Sequence, residues 1–199
     1  KLHSIRRRGE KMAIKIFVDQ GHNPGNINAG ASANGLVESE VTYWAGIYLA
    51  GFLRVDPRFE VMVSRPYPDT VLGNDTPGSL RERVEMANEW PADYFISIHA
   101  NANENPQING SEVYVYERDS IAYDLAQKVL RSMVEVAGTK DNLVRVNPSL
   151  YVLRRTQMPA ILVELAYLTN VEDADKLKCC LYGFSYGIYL GILDYFGFL

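Results

Sequence analysis

The sequence is poor in cysteine and histidine. Its 199 residues include two cysteines, the neighbours Cys179 and Cys180, and three histidines. Adjacent cysteines rarely form a disulfide without strain, and no histidine lies near them in the sequence. A disulfide framework and a cysteine-based metal site are therefore both disfavoured. We expect the two thiols to be reduced and structural.

Long apolar runs are also missing. The longest one near the end, 183–193, is too short to cross a membrane and continues into Asp194. No apolar signal segment precedes Met12, the candidate natural start. We therefore expect neither a membrane span nor a signal peptide.

Basic charge is scarce outside the first eleven residues. Residues 1–11 hold five basic side chains and one glutamate, a net +4, whereas the whole chain has −4, so residues 12–199 carry −8. The negative charge of residues 12–199 argues against nucleic-acid binding, because that function needs basic patches to neutralise phosphates. We expect 1–11 to be a basic arm or an expression remnant, and 12–199 to be one globular domain.

Apolar strands alternate with helical patterns along the chain. Strands are predicted around 16–18, 59–64, 94–98, 150–153 and 159–164, and a further strand, antiparallel and near an edge, at 112–116. Helices are predicted to begin at Glu38 and Thr76 and to cover 120–136, 170–177 and 181–196, with loops at 23–37 and 139–148. This order predicts an α/β fold: a single-domain, three-layer structure with a mostly parallel twisted sheet of about six strands and helices on both faces.

Three chemistry-bearing residues stand at or just past the ends of predicted strands. They are His22, His99 and Glu164. Because the carboxyl ends of parallel strands share one edge, these side chains should emerge together, with Glu38 returning from the first helix to join them. The plainer interpretation is that the histidines are core residues and that Glu38 only complements the helix dipole.

Two imidazoles and a carboxylate form a typical catalytic zinc set, which leaves one position for water. A mononuclear non-haem iron site uses the same ligand types, so the residues alone do not fix the metal. Burial at the end of an apolar strand would raise the pKa of Glu164 and suit it to act as a base.

In this order, several short blocks resemble the zinc-dependent N-acetylmuramoyl-L-alanine amidases of bacterial autolysins and phage lysins. The similarity runs from about Ile14 to Phe196. The blocks are Val18-Asp19-Gln20-Gly21-His22, Asn34-Gly35-Leu36-Val37-Glu38, Ser64-Arg65, Leu80 through Arg83 to Ala87-Asn88, Ser97-Ile98-His99-Ala100-Asn101-Ala102, Leu150-Tyr151-Val152-Leu153-Arg154, Pro159-Ala160-Ile161-Leu162-Val163-Glu164 and Leu168-Thr169-Asn170.

The resemblance implies that His22, Glu38 and His99 bind Zn²⁺ and that Glu164 is catalytic. It favours Glu38 over its neighbour Glu40. The implied reaction hydrolyses the amide between N-acetylmuramic acid and the L-alanine of the peptidoglycan stem peptide. The sequence departs from the family pattern at Gln20, Asn23-Pro24, Ser39 and Ala166. We expect the first two departures to reshape the substrate groove beside His22.

Three other polar residues are candidate substrate contacts. They are Arg65, Arg154 and Asn101. Arg83 is flanked by Glu82 and Glu85, so we expect it to be solvent-exposed and to form an ion pair on its helix. We expect the tyrosine-rich strand 114–116 to contribute to packing and not to substrate binding.

Two other functions remain open from the sequence. One is a zinc carboxypeptidase or endopeptidase that cuts within the stem peptide, and the other is an inactive cell-wall-binding module. An acidic body gains little attraction to an anionic wall, so a separate wall-binding domain or partner is also expected. The resemblance places the activity at the bacterial wall, with a cytoplasmic stage before release if the source is a phage lysin.

Overall fold

The computed structural model describes residues 13–199, so the expectations for residues 1–11 and for Met12 lie outside it. The strands are β1 (Ile14–Gln20), β2 (Ser32–Ala33), β3 (Leu36–Val37), β4 (Phe59–Val63), β5 (Tyr94–Asn101), β6 (Ser111–Val115), β7 (Asp141–Val146) and β8 (Ala160–Tyr167). The helices are α1 (Glu38–Val55), α2 (Thr76–Glu89), α3 (Ile121–Ala137), α4 (Tyr151–Arg155) and α5 (Val171–Tyr195).

Six strands form the main sheet, in the order β4-β1-β5-β8-β6-β7. The first four are mutually parallel, β6 runs antiparallel to β8, and β7 runs parallel to β6. The predicted mostly parallel sheet of six strands is confirmed. The antiparallel direction of β6 is confirmed too, and so is its position near an edge, since only β7 lies beyond it.

Helices cover both faces of the sheet and bury two apolar layers. On one face α1, α3 and α5 pack together over side chains such as Ile96, Val163 and Leu49. On the other face, the shorter α2 and α4 cover a smaller cluster that includes Phe17, Phe95 and Leu162.

Three local predictions are wrong. The segment at 150–153 belongs to helix α4 and not to a strand, since a short apolar run does not distinguish the two. The supposedly irregular 139–148 contains strand β7, whose pattern is obscured by its exposed side chains and by Leu143 at φ 72°. The loop at 23–37 ends in the small hairpin β2–β3, turned by Asn34 and Gly35 with positive φ.

The helix ends follow ordinary capping chemistry. Asp75, and not Thr76, caps α2 by accepting a hydrogen bond from the Gly78 amide. Ser120 caps α3, which ends at Gly138 in the left-handed conformation, as the sequence predicts. The last two predicted helices form the single helix α5, interrupted by the non-helical Cys180.

The two cysteines are free, as expected, but both are exposed and so have no role in the core. Within residues 13–199, no helix is both long and apolar enough to cross a membrane.

Candidate active site

His22 lies just beyond the end of β1 in a conformation that the backbone fixes tightly. The Gly21 amide donates to the Ile98 carbonyl at 3.0 Å, and His22 itself has φ 66°. Its Nδ1 lies 3.0 Å from the carbonyl oxygen of Asn28. A hydrogen bond there makes Nδ1 the protonated nitrogen, which leaves the Nε2 lone pair free to bind a metal.

Glu38 is the first residue of α1 and is buried. Its Oε1 lies 3.0 Å from His22 Nε2 and 3.2 Å from His99 Nδ1, while its Oε2 accepts a hydrogen bond from the Ala31 amide at 2.9 Å. Burial alone would raise the pKa of Glu38, but the hydrogen bonds and charges of the two imidazoles outweigh it, so its pKa lies well below the ordinary range. The neighbouring Glu40 is exposed.

His99 lies on β5, the strand beside β1 in the sheet. The centroids of the His22 and His99 rings are 4.8 Å apart and the rings meet edge to face. One ligand atom from each of His22, Glu38 and His99 lies within 4.8 Å of the others. The structure therefore brings together the three residues that sequence analysis proposed as metal ligands.

Glu164 stands on β8, directly opposite His99 of β5 and Glu112 of β6. Its Oε2 is buried and has no hydrogen-bond partner within the described residues. Burial, followed by the negative charges of Glu38 and Glu112, raises the pKa of Glu164 well above its usual value. A half-buried carboxyl group without a partner is suited to accept and return a proton.

Arg83 contacts the backbone that carries His22. The prediction that it is a solvent-exposed pairing partner on its helix is wrong. The side chain is 1% exposed and pairs with Asp19 of β1 at 2.6 Å. It also donates to the carbonyl oxygens of Gln20 and His22, each at 2.5 Å. Arg83 thereby ties α2 to the turn that carries the first imidazole.

Arg65 is buried as well, at 1% exposure, and donates to the carbonyl oxygens of Ser39 at 2.8 Å and Pro68 at 3.0 Å. Burial, together with the charge of Arg83, lowers its pKa to about 10. A guanidinium enclosed in this way supports the loop after β4 and offers no surface to a substrate, contrary to the expectation from the sequence.

The two departures beside His22 also have structural roles. Gln20 is fully buried and bonds the backbone of Arg65 through both its amide atoms, at 2.9 and 2.8 Å. Asn23 is buried too, and its Nδ2 donates to the Leu72 carbonyl at 2.8 Å. They fasten neighbouring loops to β1, so neither side chain reshapes an open groove.

The other two candidate contacts lie in different places. Asn101 is close to the site, but its amide group is engaged with Glu112 Oε1 at 2.6 Å and with the Ala102 amide at 2.9 Å. Arg154 is exposed and lines a depression that includes Pro159 and Ala160. Pro159 and Ala160 lie at the amino end of β8, at least four residues before Glu164.

A small cavity of about 120 Å³ adjoins the two histidines, and its walls include Leu150, Tyr151 and Leu162. Tyr151 is the first residue of α4, and sequence analysis missed it because the segment read as a strand. The only available signal was its position in the block that precedes Arg154.

Comparisons with known proteins place the chain in one family. The family model described as N-acetylmuramoyl-L-alanine amidase matches residues 16–194. The chain is 39% identical over 169 residues to N-acetylmuramoyl-L-alanine amidase LytC of Bacillus subtilis (strain 168), covering 84% of this chain and 32% of that relative. It is 35% identical over 167 residues to CwlM of Bacillus licheniformis, an enzyme of the same name, covering 83% and 61%.

The fold agrees as well. The crystal structure of N-acetylmuramoyl-L-alanine amidase from Clostridium difficile 630 superposes with a TM-score of 0.83 and 30% identity, covering 93% of this chain and 97% of that one. The resemblance to N-acetylmuramoyl-L-alanine amidases stated from the sequence is thus confirmed. With a family model matched over most of its length and relatives of this similarity, the chain belongs to the N-acetylmuramoyl-L-alanine amidase family.

Proposed function

We propose that this chain hydrolyses the amide bond between N-acetylmuramic acid and L-alanine in peptidoglycan, at the site formed by His22, Glu38, His99 and Glu164. The observation that carries the proposal is the unpartnered carboxylate oxygen of Glu164 beside a convergent pair of imidazoles and a carboxylate. Family membership supplies the substrate class.

The residues fit a divalent metal, and we propose Zn²⁺. Two imidazole nitrogens within 3.2 Å of one carboxylate oxygen are a donor set that zinc and non-haem iron both use. The carbonyl of Asn28 holds the His22 ring so that Nε2 faces Glu38. Bound there, zinc would supply a Lewis acid and a water of lowered pKa. Metal analysis of the purified protein separates the two ions.

Glu164 performs the proton transfers in this proposal. It accepts a proton from the attacking water and returns it to the nitrogen of L-alanine as the amide bond breaks. Its raised pKa places both steps within reach near neutral pH. The cavity beside His22 and His99, walled by Tyr151 and Leu162, would hold the groups flanking the amide.

Product analysis tests the function. Digestion of purified peptidoglycan by the zinc-loaded chain should free the amino group of L-alanine and leave the glycan strands whole, as mass spectrometry would reveal. Cleavage within the stem peptide would instead identify a carboxypeptidase or endopeptidase. Stable binding of peptidoglycan without products would identify a wall-binding module.

We also propose that the chain acts at the bacterial wall with the help of a wall-binding domain or partner. The chain covers 32% of LytC and 61% of CwlM, so both relatives contain further sequence. The −8 charge of residues 12–199 disfavours attraction to an anionic wall. Efficient lysis of whole cells by this chain alone, at low and at high salt, would contradict the idea.

A further inference from the structure

We propose that Arg145 forms a subsite that binds a carboxylate of the stem peptide, beyond the bond that is cut. The inference rests on the proposed function and adds a specificity-determining residue to it. It starts from a buried network around Glu112 that the proposed hydrolysis does not use.

Strand register places Arg145 on the same face of the sheet as the site. His99 lies opposite Glu164, Glu164 opposite Glu112, and Tyr114, two residues after Glu112, opposite Arg145. Directly opposed residues point to the same side of a sheet, as do residues two apart along a strand. Arg145 therefore emerges on the face that carries His99 and Glu164.

Glu112 holds the Arg145 side chain in place. Its carboxylate is 1% exposed and accepts hydrogen bonds from Asn101 at 2.6 Å, Tyr114 at 3.0 Å and Tyr167 at 3.2 Å. Its other oxygen lies 2.7 Å from Arg145 Nε. That oxygen accepts no hydrogen bond from the described residues, so its contact with Arg145 is an ion pair. Because three donors fix the Glu112 carboxylate, its charge keeps the guanidinium close to one place.

One side of that guanidinium is free for a ligand. Glu112 and the Asn142 carbonyl engage only Nε, and neither Nη atom has a hydrogen-bond partner within the described residues. The Arg145 side chain is 52% exposed. By contrast, Arg65 and Arg83, the arginines nearest the imidazoles, are both enclosed. A planar pair of free Nη groups matches a carboxylate, which it can bind through two parallel hydrogen bonds.

The spacing indicates which part of the substrate reaches Arg145. The Arg145 side chain starts on β7 and reaches back to Glu112 on β6, so its guanidinium lies between one and two strand spacings, about 5–10 Å, from β8, which carries Glu164. An extended peptide covers about 3.3–3.6 Å per residue. The carboxylate is therefore expected on the second or third residue of the stem, counted from the L-alanine.

Paired substrates test the inference. The experiment measures kcat/KM of the zinc-loaded chain on pairs of synthetic muramoyl tripeptides. In one pair the second residue carries either a carboxylate or a carboxamide, and in the other pair the third residue does. At one of the two positions, the wild type should favour the carboxylate by about tenfold or more in kcat/KM. In Arg145→Met this ratio should fall to about one, and in Arg145→Lys it should be intermediate.

The ratio is measured within each variant, so a change in stability or overall rate does not alter it. Arg54→Met, which removes an exposed arginine from α1, serves as the matched control and should keep the wild-type ratio. A ratio near one in the wild type, or an unchanged ratio in Arg145→Met, would overturn the subsite. Failure of the wild type to cleave any of the substrates would instead overturn the proposed function.

Discussion

The imidazoles of the site are held partly by the absence of a side chain at Gly21. A Cβ atom there would lie 2.5 Å from both Cε1 and Nε2 of His99 and 2.7 Å from the Ile98 carbonyl oxygen. No rotation of the new methyl group relieves such contacts, so the ring or the end of the strand would have to move.

We therefore expect Gly21→Ala to displace His99, to weaken metal binding by at least about tenfold and to lower the thermal midpoint. Gly51→Ala is the matched control, since a Cβ in that position of α1 meets no heavy atom within 4 Å. It should stabilise the protein by up to about 1 kcal/mol. Metal titration and thermal unfolding of both variants make the measurement; equal metal affinity in the two would contradict the role of Gly21.

Substitution of Glu164 should lower turnover without loss of zinc, whereas substitution of the three proposed ligands should weaken zinc binding. Glu164→Ala is expected to retain stoichiometric zinc and to lose turnover by about 10²- to 10⁴-fold, because only the proton transfers are removed. Elemental analysis and release of L-alanine amino groups report the two properties. Glu104→Ala, which removes an exposed loop carboxylate, controls for charge. Wild-type turnover in Glu164→Ala would rule out the assigned role.

Glu38 and Glu40 make a second matched pair on the first turn of α1. Glu38 Oε1 lies near both imidazoles, whereas Glu40 is exposed. Glu38→Gln should lose zinc at concentrations that saturate the wild type, since a neutral amide is a poor ligand, and Glu40→Gln should keep it. The opposite result would transfer the ligand assignment to Glu40.

Among the elements, α2 is joined to β1 by the enclosed ion pair of Arg83 and Asp19. Ser97 adds a hydrogen bond to Asp19 at 2.7 Å. Burial alone would raise the pKa of Asp19, but the charge of Arg83 and these hydrogen bonds lower it overall. Arg83→Met should cost about 3–5 kcal/mol of unfolding free energy, because it leaves Asp19 buried without its partner.

Denaturant unfolding of Arg83→Met measures that cost. Arg81→Met, an exposed substitution on the same helix, should change the unfolding free energy by less than about 0.5 kcal/mol. Equal stability of the two variants would mean that the ion pair does not hold α2 in place.

The elements also differ in how far the sequence reveals them. Strands β1, β5 and β8 contain apolar runs, so the strands next to or carrying His22, His99 and Glu164 could be located directly, although β5 and β8 each extend three residues past the predicted ends at 98 and 164. The edge strand β7 has mostly exposed side chains and the five-residue α4 has no full helical period, so neither leaves a clear pattern. The burial of Arg83 is not visible in the sequence because its partner Asp19 lies 64 residues away, and local charge spacing indicates only local pairs.

At the scale of the whole molecule, Asp56 joins the end of α1 to two other parts of the fold. Its carboxylate accepts hydrogen bonds from Arg58, just before β4, and from Tyr189 of α5. The hydrogen bond from Arg58 is the main reason why the pKa of Asp56 falls from 3.8 to about 2. Since the pKa is lower in the folded state, the added stability is present above about pH 4 and is lost as the pH falls towards 2.

Asp56→Asn should therefore lose stability at neutral pH and show a flatter decrease of unfolding free energy between pH 4 and pH 2 than the wild type. Asp69→Asn, which changes an exposed loop residue, controls for the removal of one carboxylate. Denaturant unfolding across this pH range makes the comparison. Parallel curves for Asp56→Asn and the wild type would show that the carboxylate is not linked to folding.

The bond between His22 Nδ1 and the Asn28 carbonyl makes the following loop part of the first imidazole's support. The same loop is closed by the Asn23 amide, which donates to that same oxygen at 3.0 Å, and anchored to α2 by Asn28 Nδ2 on Ser79. Opening of this loop would therefore break the hydrogen bond that holds the His22 ring. Deuterium uptake at the Asn23 amide should consequently slow when the ion is loaded and accelerate when a chelator removes it.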